Sequence, residues 1–134
     1  MKPDPLPVPE AIAELIERRS GNDMVRAMAT AFAEQASRRD VELVAHASKE
    51  PRYFRVVWHG KTVAYVQPRP DEVRADYQLP YNHWSYGWGF GQDKGWGQIG
   101  LKIKSQTAFD VSMRLLDDAI KRAASEAVKQ PRSN

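Results

Sequence analysis

The sequence contains no cysteine among its 134 residues. This absence excludes disulfide bonds, thiolate catalysis and every metal site that needs a thiolate ligand. No apolar run approaches the ~20 residues of a transmembrane helix, so we expect no association with a membrane. The first residues, Met1-Lys2-Pro3-Asp4, lack the apolar stretch of a signal peptide. We therefore expect a cytoplasmic location.

An excess of charge of one sign is also nearly absent. The chain has 20 basic and 17 acidic side chains, which gives a net charge of +3. Proteins dedicated to nucleic-acid binding usually concentrate their basic residues, so the positions of these residues matter more than their number. The hydrophobic content of 42% and the charged content of 28% are those of a globular protein.

The N-terminal residues differ in composition from the rest. Proline occupies every second position from Pro3 to Pro9, a pattern that favours extended polyproline II geometry. We predict a proline-rich N-terminal arm over residues 1–8 and a single domain over residues 9–130. The arm is interpreted either as a leader into the first helix or as a docking arm.

Two helices are predicted directly after this arm. Pro9 suits the first turn of a helix over about 9–19, and Asn22 can cap a second helix over about 23–39. The buried face of the first is predicted to carry Ile12, Leu15 and Ile16. In the second, Met24, Met28 and Phe32 recur at spacings of four and predict a buried stripe.

A sheet is predicted next, because the apolar period changes to two from Val41 onward. His59-Gly60 fits a two-residue hairpin turn. That turn predicts the pairs Trp58–Lys61, Val56–Val63 and Phe54–Tyr65, and it puts Tyr65 on the core face. Residues 73–79 alternate cleanly, with Val73, Ala75, Tyr77 and Leu79 facing inward.

One long helix is predicted to end the chain. Residues 107–110 have the form of a capping box, with Asp110 in place of the usual Glu, and the helix they open extends to about Lys129. The order of elements predicts an α+β fold, with an antiparallel sheet of about six strands, two N-terminal helices and one C-terminal helix.

The segment over residues 81–100 has an unusual composition. It contains six of the eight glycines and six of the thirteen aromatic residues. Large and small side chains alternate along this segment, so one face of the predicted strand carries aromatic rings and the other carries small residues. The aromatic positions of this face are Trp84, Tyr86, Trp88 and Phe90.

The turn that follows this segment decides which faces meet. A two-residue turn at Asp93-Lys94 pairs Trp88 with Ile99 and makes the aromatic face part of the core. A three-residue loop over residues 93–95 pairs Tyr86 with Lys102 and Trp84 with Lys104 instead. The rings then share a face with lysines, as a base-stacking surface requires.

We find no catalytic constellation, and we expect a protein that is not an enzyme. The three histidines have no partner at the spacing of metal ligands, and the glycines match neither a P-loop nor a dinucleotide fingerprint. We therefore expect no metal and no cofactor. His83, beside the aromatic face, is a possible ligand contact.

Two hypotheses about function follow. The first is a non-enzymatic binding module for single-stranded nucleic acid that stacks bases on aromatic rings and meets phosphates with lysines. The second is a small protein-interaction domain, such as a regulator, inhibitor or subunit, that docks a partner protein through the same patch. The binding residues in both hypotheses are Trp84, Tyr86, Trp88, Trp96, Lys102 and Lys104.

Overall fold

The structure is a computed structural model that describes residues 8–79, 92–93 and 98–129. Its helices and strands, in chain order, are α1 (Glu10–Arg19), α2 (Asp23–Ala36), β1 (Glu42–Ala45), β2 (Phe54–Trp58), β3 (Lys61–Pro68), β4 (Val73–Gln78), β5 (Gln92–Asp93), β6 (Gln98–Ile103) and α3 (Gln106–Lys129). The strands form one antiparallel sheet in the order β1-β2-β3-β4-β6-β5. The predicted α+β class is confirmed. Five strands have four to eight residues, and β5 has two.

The starts of α1 and α2 lie close to their predicted positions. The carbonyl of Pro9 accepts the first backbone hydrogen bonds of α1, whose buried face is the predicted one. The side chain of Asn22 accepts a hydrogen bond from the Val25 amide at 2.9 Å, which satisfies one free donor at the start of α2. Val8, the last residue assigned to the proline-rich arm, packs against the core.

The predicted stripe of α2 is correct at Phe32 and wrong at Met24. Met24 is 41% exposed and Met28 is only partly buried, whereas α2 buries Val25, Ala29, Phe32, Ala33 and Ala36. Successive helical residues point about 100° apart, so a shift of one position turns a side chain off the buried face. The buried face is rich in alanine, which lets α2 approach its neighbours closely.

The predicted capping box of α3 is also wrong. The Ser105 hydroxyl accepts a hydrogen bond from the Ala108 amide at 3.1 Å, and the Ser105 carbonyl accepts one from the Phe109 amide. Ser105 is therefore the cap, and the helix begins at Gln106. Asp110 instead accepts a hydrogen bond from the Gln106 side chain at 2.9 Å.

The three helices pack against one face of the sheet. α3 contacts β3, β4 and β6, α2 contacts β3 and β4, and α1 contacts β1. The inward residues predicted in residues 73–79 are all buried, which confirms that alternation. The core side of the sheet consists mainly of Leu43, Phe54, Val56, Ala64, Val66, Val73, Ala75, Tyr77, Ile99, Leu101 and Ile103.

A β-bulge in β3 changes the predicted pairing of the hairpin. The predicted turn is present, and His59 and Gly60 both have positive φ, at 45° and 81°. Trp58 pairs with Lys61 as predicted, but Val56 pairs with Ala64, so that Val63 is an extra residue in β3. The predicted pairs Val56–Val63 and Phe54–Tyr65 are therefore wrong.

The strand β5 corrects both registers considered for the aromatic segment. Gln92 pairs with Gly100 and Asp93 pairs with Ile99. Both predicted turns included Asp93, and neither is correct, because Asp93 already pairs with β6. The aromatic residues that the two registers were meant to place, over residues 81–91, lie outside the described residues.

A close contact joins the α1–α2 turn to the β3–β4 turn. The Asn22 side chain donates a hydrogen bond to the Pro70 carbonyl at 3.3 Å. A Cβ on Gly21 would lie 2.1 Å from the same oxygen, inside van der Waals contact. Only a residue without a side chain fits between the two turns at this distance.

We predict that Gly21→Ala lowers the free energy of unfolding by about 1–3 kcal/mol, because the added methyl group forces two backbones apart. The matched control is Gly60→Ala, where a Cβ meets open space and only the positive φ of 81° opposes the change. This control should cost about 1–2 kcal/mol. Urea denaturation measures both. A Gly21→Ala variant as stable as the unmodified protein would contradict the close contact.

Candidate functional site

The second face of the sheet carries polar and aromatic side chains. Residues that pair across antiparallel strands point to the same side, so the registers identify this face directly. Arg55 lies opposite Tyr65, Tyr65 opposite Asp76, and Gln67 opposite Arg74. We call this side the open face, defined by Tyr53, Arg55, Tyr65, Gln67, Arg74, Asp76, Gln98 and Lys102.

Tyr65 reaches the open face because of the bulge at Val63. Without the extra residue, Tyr65 would share the core side with Phe54, as the sequence analysis predicted. With the bulge, Val66 takes that place opposite Phe54 and Tyr65 pairs with Arg55. Tyr65 is half-buried, so part of its ring surface is accessible.

Tyr65 belongs to a small aromatic cluster. Its ring centroid lies 5.8 Å from that of Tyr53, with the planes at 66° in an edge-to-face arrangement. Tyr53 in turn stacks on His46, with 4.6 Å between the centroids and an angle of 25°. The loop between β1 and β2 thus places the ring of Tyr53 beside Tyr65 of β3, and the ring of His46 beside Tyr53.

A cleft of about 240 Å³ lies beside these rings. We call it the Asp76 cleft. Among the described residues that line it, two are aromatic, two are amides and one is a carboxylate. They are Tyr53, Tyr65, Gln67, Gln98 and Asp76.

Asp76 is an unusual residue for a strand centre. Its side chain is 27% exposed, and its Oδ1 atom is buried without a hydrogen bond from the described residues. Arg74 Nε lies 3.8 Å from this oxygen, beyond hydrogen-bonding distance. Burial raises the pKa of Asp76 above its ordinary value of 3.8, and the positive charges of Arg74 and Arg69 oppose that increase only in part.

Basic side chains lie on the same face of the sheet as the cleft. Lys102 is exposed and lies opposite Arg74 across β4 and β6. Arg55 donates a hydrogen bond to Thr62 Oγ1 at 3.0 Å, and Arg69 donates one to Gln67 Oε1 at 3.4 Å. The open face therefore combines aromatic rings with cations from three neighbouring strands.

The predicted site residues have different outcomes. Lys102 belongs to the open face. Lys104 is exposed and follows β6, and its Nζ atom lies 3.7 Å from Glu72 Oε1, so its charge is shared with a carboxylate. Lys61, at the start of β3, pairs with Glu126 of α3. The predicted residues Trp84, Tyr86, Trp88, Trp96 and His83 lie outside the described residues.

Sequence reasoning missed Tyr53, Gln67, Asp76 and Gln98 as candidate site residues. The predicted alternation of residues 73–79 puts Asp76 on the outward face of its strand. A charged residue at an outward position is usually exposed to water, so its position alone does not indicate a site. Tyr53 precedes β2 and carried no periodic signal. Tyr65 was assigned to the core because a bulge has no reliable signature in a single sequence.

We predict that Asp76→Asn raises the unfolding temperature by a few degrees at pH 7. Because the pKa of Asp76 is raised on folding, its stabilising contribution is complete below 3.8 and is lost as pH rises through the folded-state pKa. Asparagine has nearly the same shape and no charge, so it removes this loss. The difference from the unmodified protein should therefore shrink as pH falls toward 3.8.

Thermal unfolding followed by circular dichroism, at several pH values, measures this difference. Asp71→Asn removes one negative charge from an exposed position in the β3–β4 turn and serves as the control. An Asp76→Asn variant that unfolds at a lower temperature at pH 7 would show that the carboxylate stabilises the fold.

Comparison with protein-family models, with curated proteins and with solved structures finds no match to this chain. No helix in the described part of the chain is long and apolar enough to cross a membrane. Within residues 8–79, 92–93 and 98–129, no group of three or more histidine, aspartate or glutamate side chains could hold a metal ion. The indications of function therefore come from the side chains of the open face and their geometry.

Proposed function

We propose that this protein binds single-stranded nucleic acid on the open face of its sheet. The observation that carries the proposal is the grouping of Tyr53 and Tyr65 with Arg55, Arg74 and Lys102 on the face opposite the helices. Aromatic rings stack on bases of any sequence, and nearby cations attract phosphates. A one-sided sheet that presents both groups is a common architecture of single-strand binding.

The spacing of these groups supports the proposal. Neighbouring strands lie about 4.8 Å apart, so side chains on adjacent strands are spaced at distances similar to those between successive nucleotides. Tyr65 lies between Arg55 and Asp76 along one row of the sheet, and Arg74 lies between Gln67 and Lys102 along the next. A nucleic-acid strand that crosses the sheet would meet the ring of Tyr65 on one row and the cations Arg74 and Lys102 on the next.

Duplex DNA is a poorer candidate on physical grounds. Its bases are stacked inside the helix, and a protein that reads it usually inserts a helix or a two-stranded ribbon into the major groove. The proposed contacts belong to a sheet face and depend on access to ring surfaces. We therefore expect single strands to bind more tightly than duplex of the same length.

The first test is a titration of a fluorescently labelled oligonucleotide, followed by anisotropy, at several salt concentrations. If Arg55, Arg74 and Lys102 each neutralise one phosphate, the logarithm of affinity should fall with the logarithm of salt with a slope of about −2. Lys102→Gln should reduce the steepness by about 0.7, whereas Lys121→Gln, an exposed lysine of α3, should leave it unchanged. Duplex and single-stranded probes of equal length complete the set.

We predict that Tyr65→Ala weakens single-strand binding by about 5- to 150-fold, because one stacked base contributes about 1–3 kcal/mol. Tyr65→Phe keeps the ring and should bind within about twofold of the unmodified protein. Thermal unfolding of both variants checks that the fold persists. Binding that is equal for the alanine and phenylalanine variants would contradict stacking at this position.

The aromatic segment remains part of the proposal. We predict that Trp88→Ala weakens binding without lowering the unfolding temperature, since the hypothesis assigns Trp84, Tyr86 and Trp88 to a binding surface. A variant that instead melts at a markedly lower temperature would place this ring in the core. If no nucleic acid binds at all, the protein-docking hypothesis takes precedence.

A further inference from the structure

The Asp76 cleft has the size and the lining of a pocket for one nucleobase. Its volume of about 240 Å³ is smaller than the ~300–1,000 Å³ of sites for drug-sized ligands, so a single planar ring system is the better fit. Tyr53 and Tyr65 line the same cleft and offer ring surface to such a ligand. The other described residues of the lining are polar, which points to a ligand with hydrogen-bonding edges.

The polar groups of the cleft determine which hydrogen-bond donors and acceptors a ligand must carry. A carboxylate only accepts hydrogen bonds, and the buried Oδ1 of Asp76 receives none from the described residues. Such an oxygen is costly to keep in a folded protein unless a donor reaches it. Gln67 and Gln98 each carry an amide nitrogen, which can donate to a carbonyl oxygen of the ligand.

A hydrogen bond from Arg69 leaves Gln67 to act as a donor toward a ligand. The guanidinium of Arg69 donates to Gln67 Oε1, so the oxygen of that amide is already engaged. The amide nitrogen lies on the other branch of the group and retains its two donors. The cleft therefore presents an acceptor at Asp76 and a donor at Gln67 on adjacent strands.

The four bases differ in how well they match this arrangement. Guanine carries two adjacent donors, N1–H and the 2-amino group, next to the O6 acceptor. Adenine and cytosine each place a ring-nitrogen acceptor beside their amino group, where a carboxylate is repelled. Uracil and thymine offer one N–H between two carbonyl oxygens.

We propose that the Asp76 cleft binds guanine, with the carboxylate of Asp76 accepting from N1–H and the 2-amino group and an amide of the cleft donating to O6. This inference rests on the proposed function, since it assigns a base preference to the same face. Such a pairing requires the Asp76 side chain to turn so that its buried Oδ1 faces the cleft, and it discriminates between bases by about 5- to 150-fold.

The test compares short oligothymidylates that carry guanine, inosine or thymine at one central position. Inosine lacks the 2-amino group and keeps N1–H and O6. We expect the guanine oligomer to bind about 5- to 150-fold more tightly than the thymine oligomer, with inosine between them. Asp76→Asn should remove the difference between the guanine and thymine oligomers, and it should change the affinity for the thymine oligomer only by the amount that loss of one negative charge causes.

The direction of the change in affinity separates recognition of the base from a general effect of charge on phosphate binding. Removal of a negative charge from a phosphate-binding face should by itself tighten binding of every oligomer. Asp71→Asn, which removes a charge from the exposed β3–β4 turn, measures that general effect. A loss of affinity for the guanine oligomer, a smaller loss for the inosine oligomer and no loss for the thymine oligomer would then come from the hydrogen bonds of Asp76.

The outcomes distinguish the two proposals. Equal affinity of the unmodified protein for the three oligomers would overturn the guanine preference and leave single-strand binding in place. A loss of affinity for all three oligomers in Asp76→Asn would assign this residue a structural role and overturn the inference. No measurable binding of any oligomer would overturn both proposals.

Discussion

The β-bulge at Val63 is the constraint on which the two faces of this sheet depend. Side chains alternate along a strand, so one extra residue moves every following side chain to the opposite face. In β3 the extra residue lets Val63 and Ala64 both be buried under the helices, and it sends Tyr65 to the other side. The core gains a continuous apolar layer, and the open face gains an aromatic ring at its centre.

The two faces of the sheet have different physical roles. The helix side is apolar and almost completely buried, and its packing provides most of the stabilisation of the domain. The open face contributes less to stability and even opposes it at Asp76, where burial disfavours the charged form. A neutral side chain of the same shape would not carry this cost.

Much of the fold follows from local sequence signals, and the candidate site follows less well. The alternation in residues 73–79, the turn at His59-Gly60 and the cap at Asn22 were predictable, because each depends on a few adjacent residues. The bulge was not, since no turn residue or break in the sequence pattern marks Val63. The location of Asp76 beside Tyr65 depends on that bulge, and therefore this part of the site required the structure.

The contact between Gly21 and Pro70 fixes the length of two turns at once. An additional residue in the β3–β4 turn would displace the α1–α2 turn, because no space separates the two backbones. The loop between β1 and β2 has the opposite property, since residues 47–50 are exposed. Insertions, labels and linkers are therefore compatible with this loop, which makes it the natural position for a reporter beside the open face.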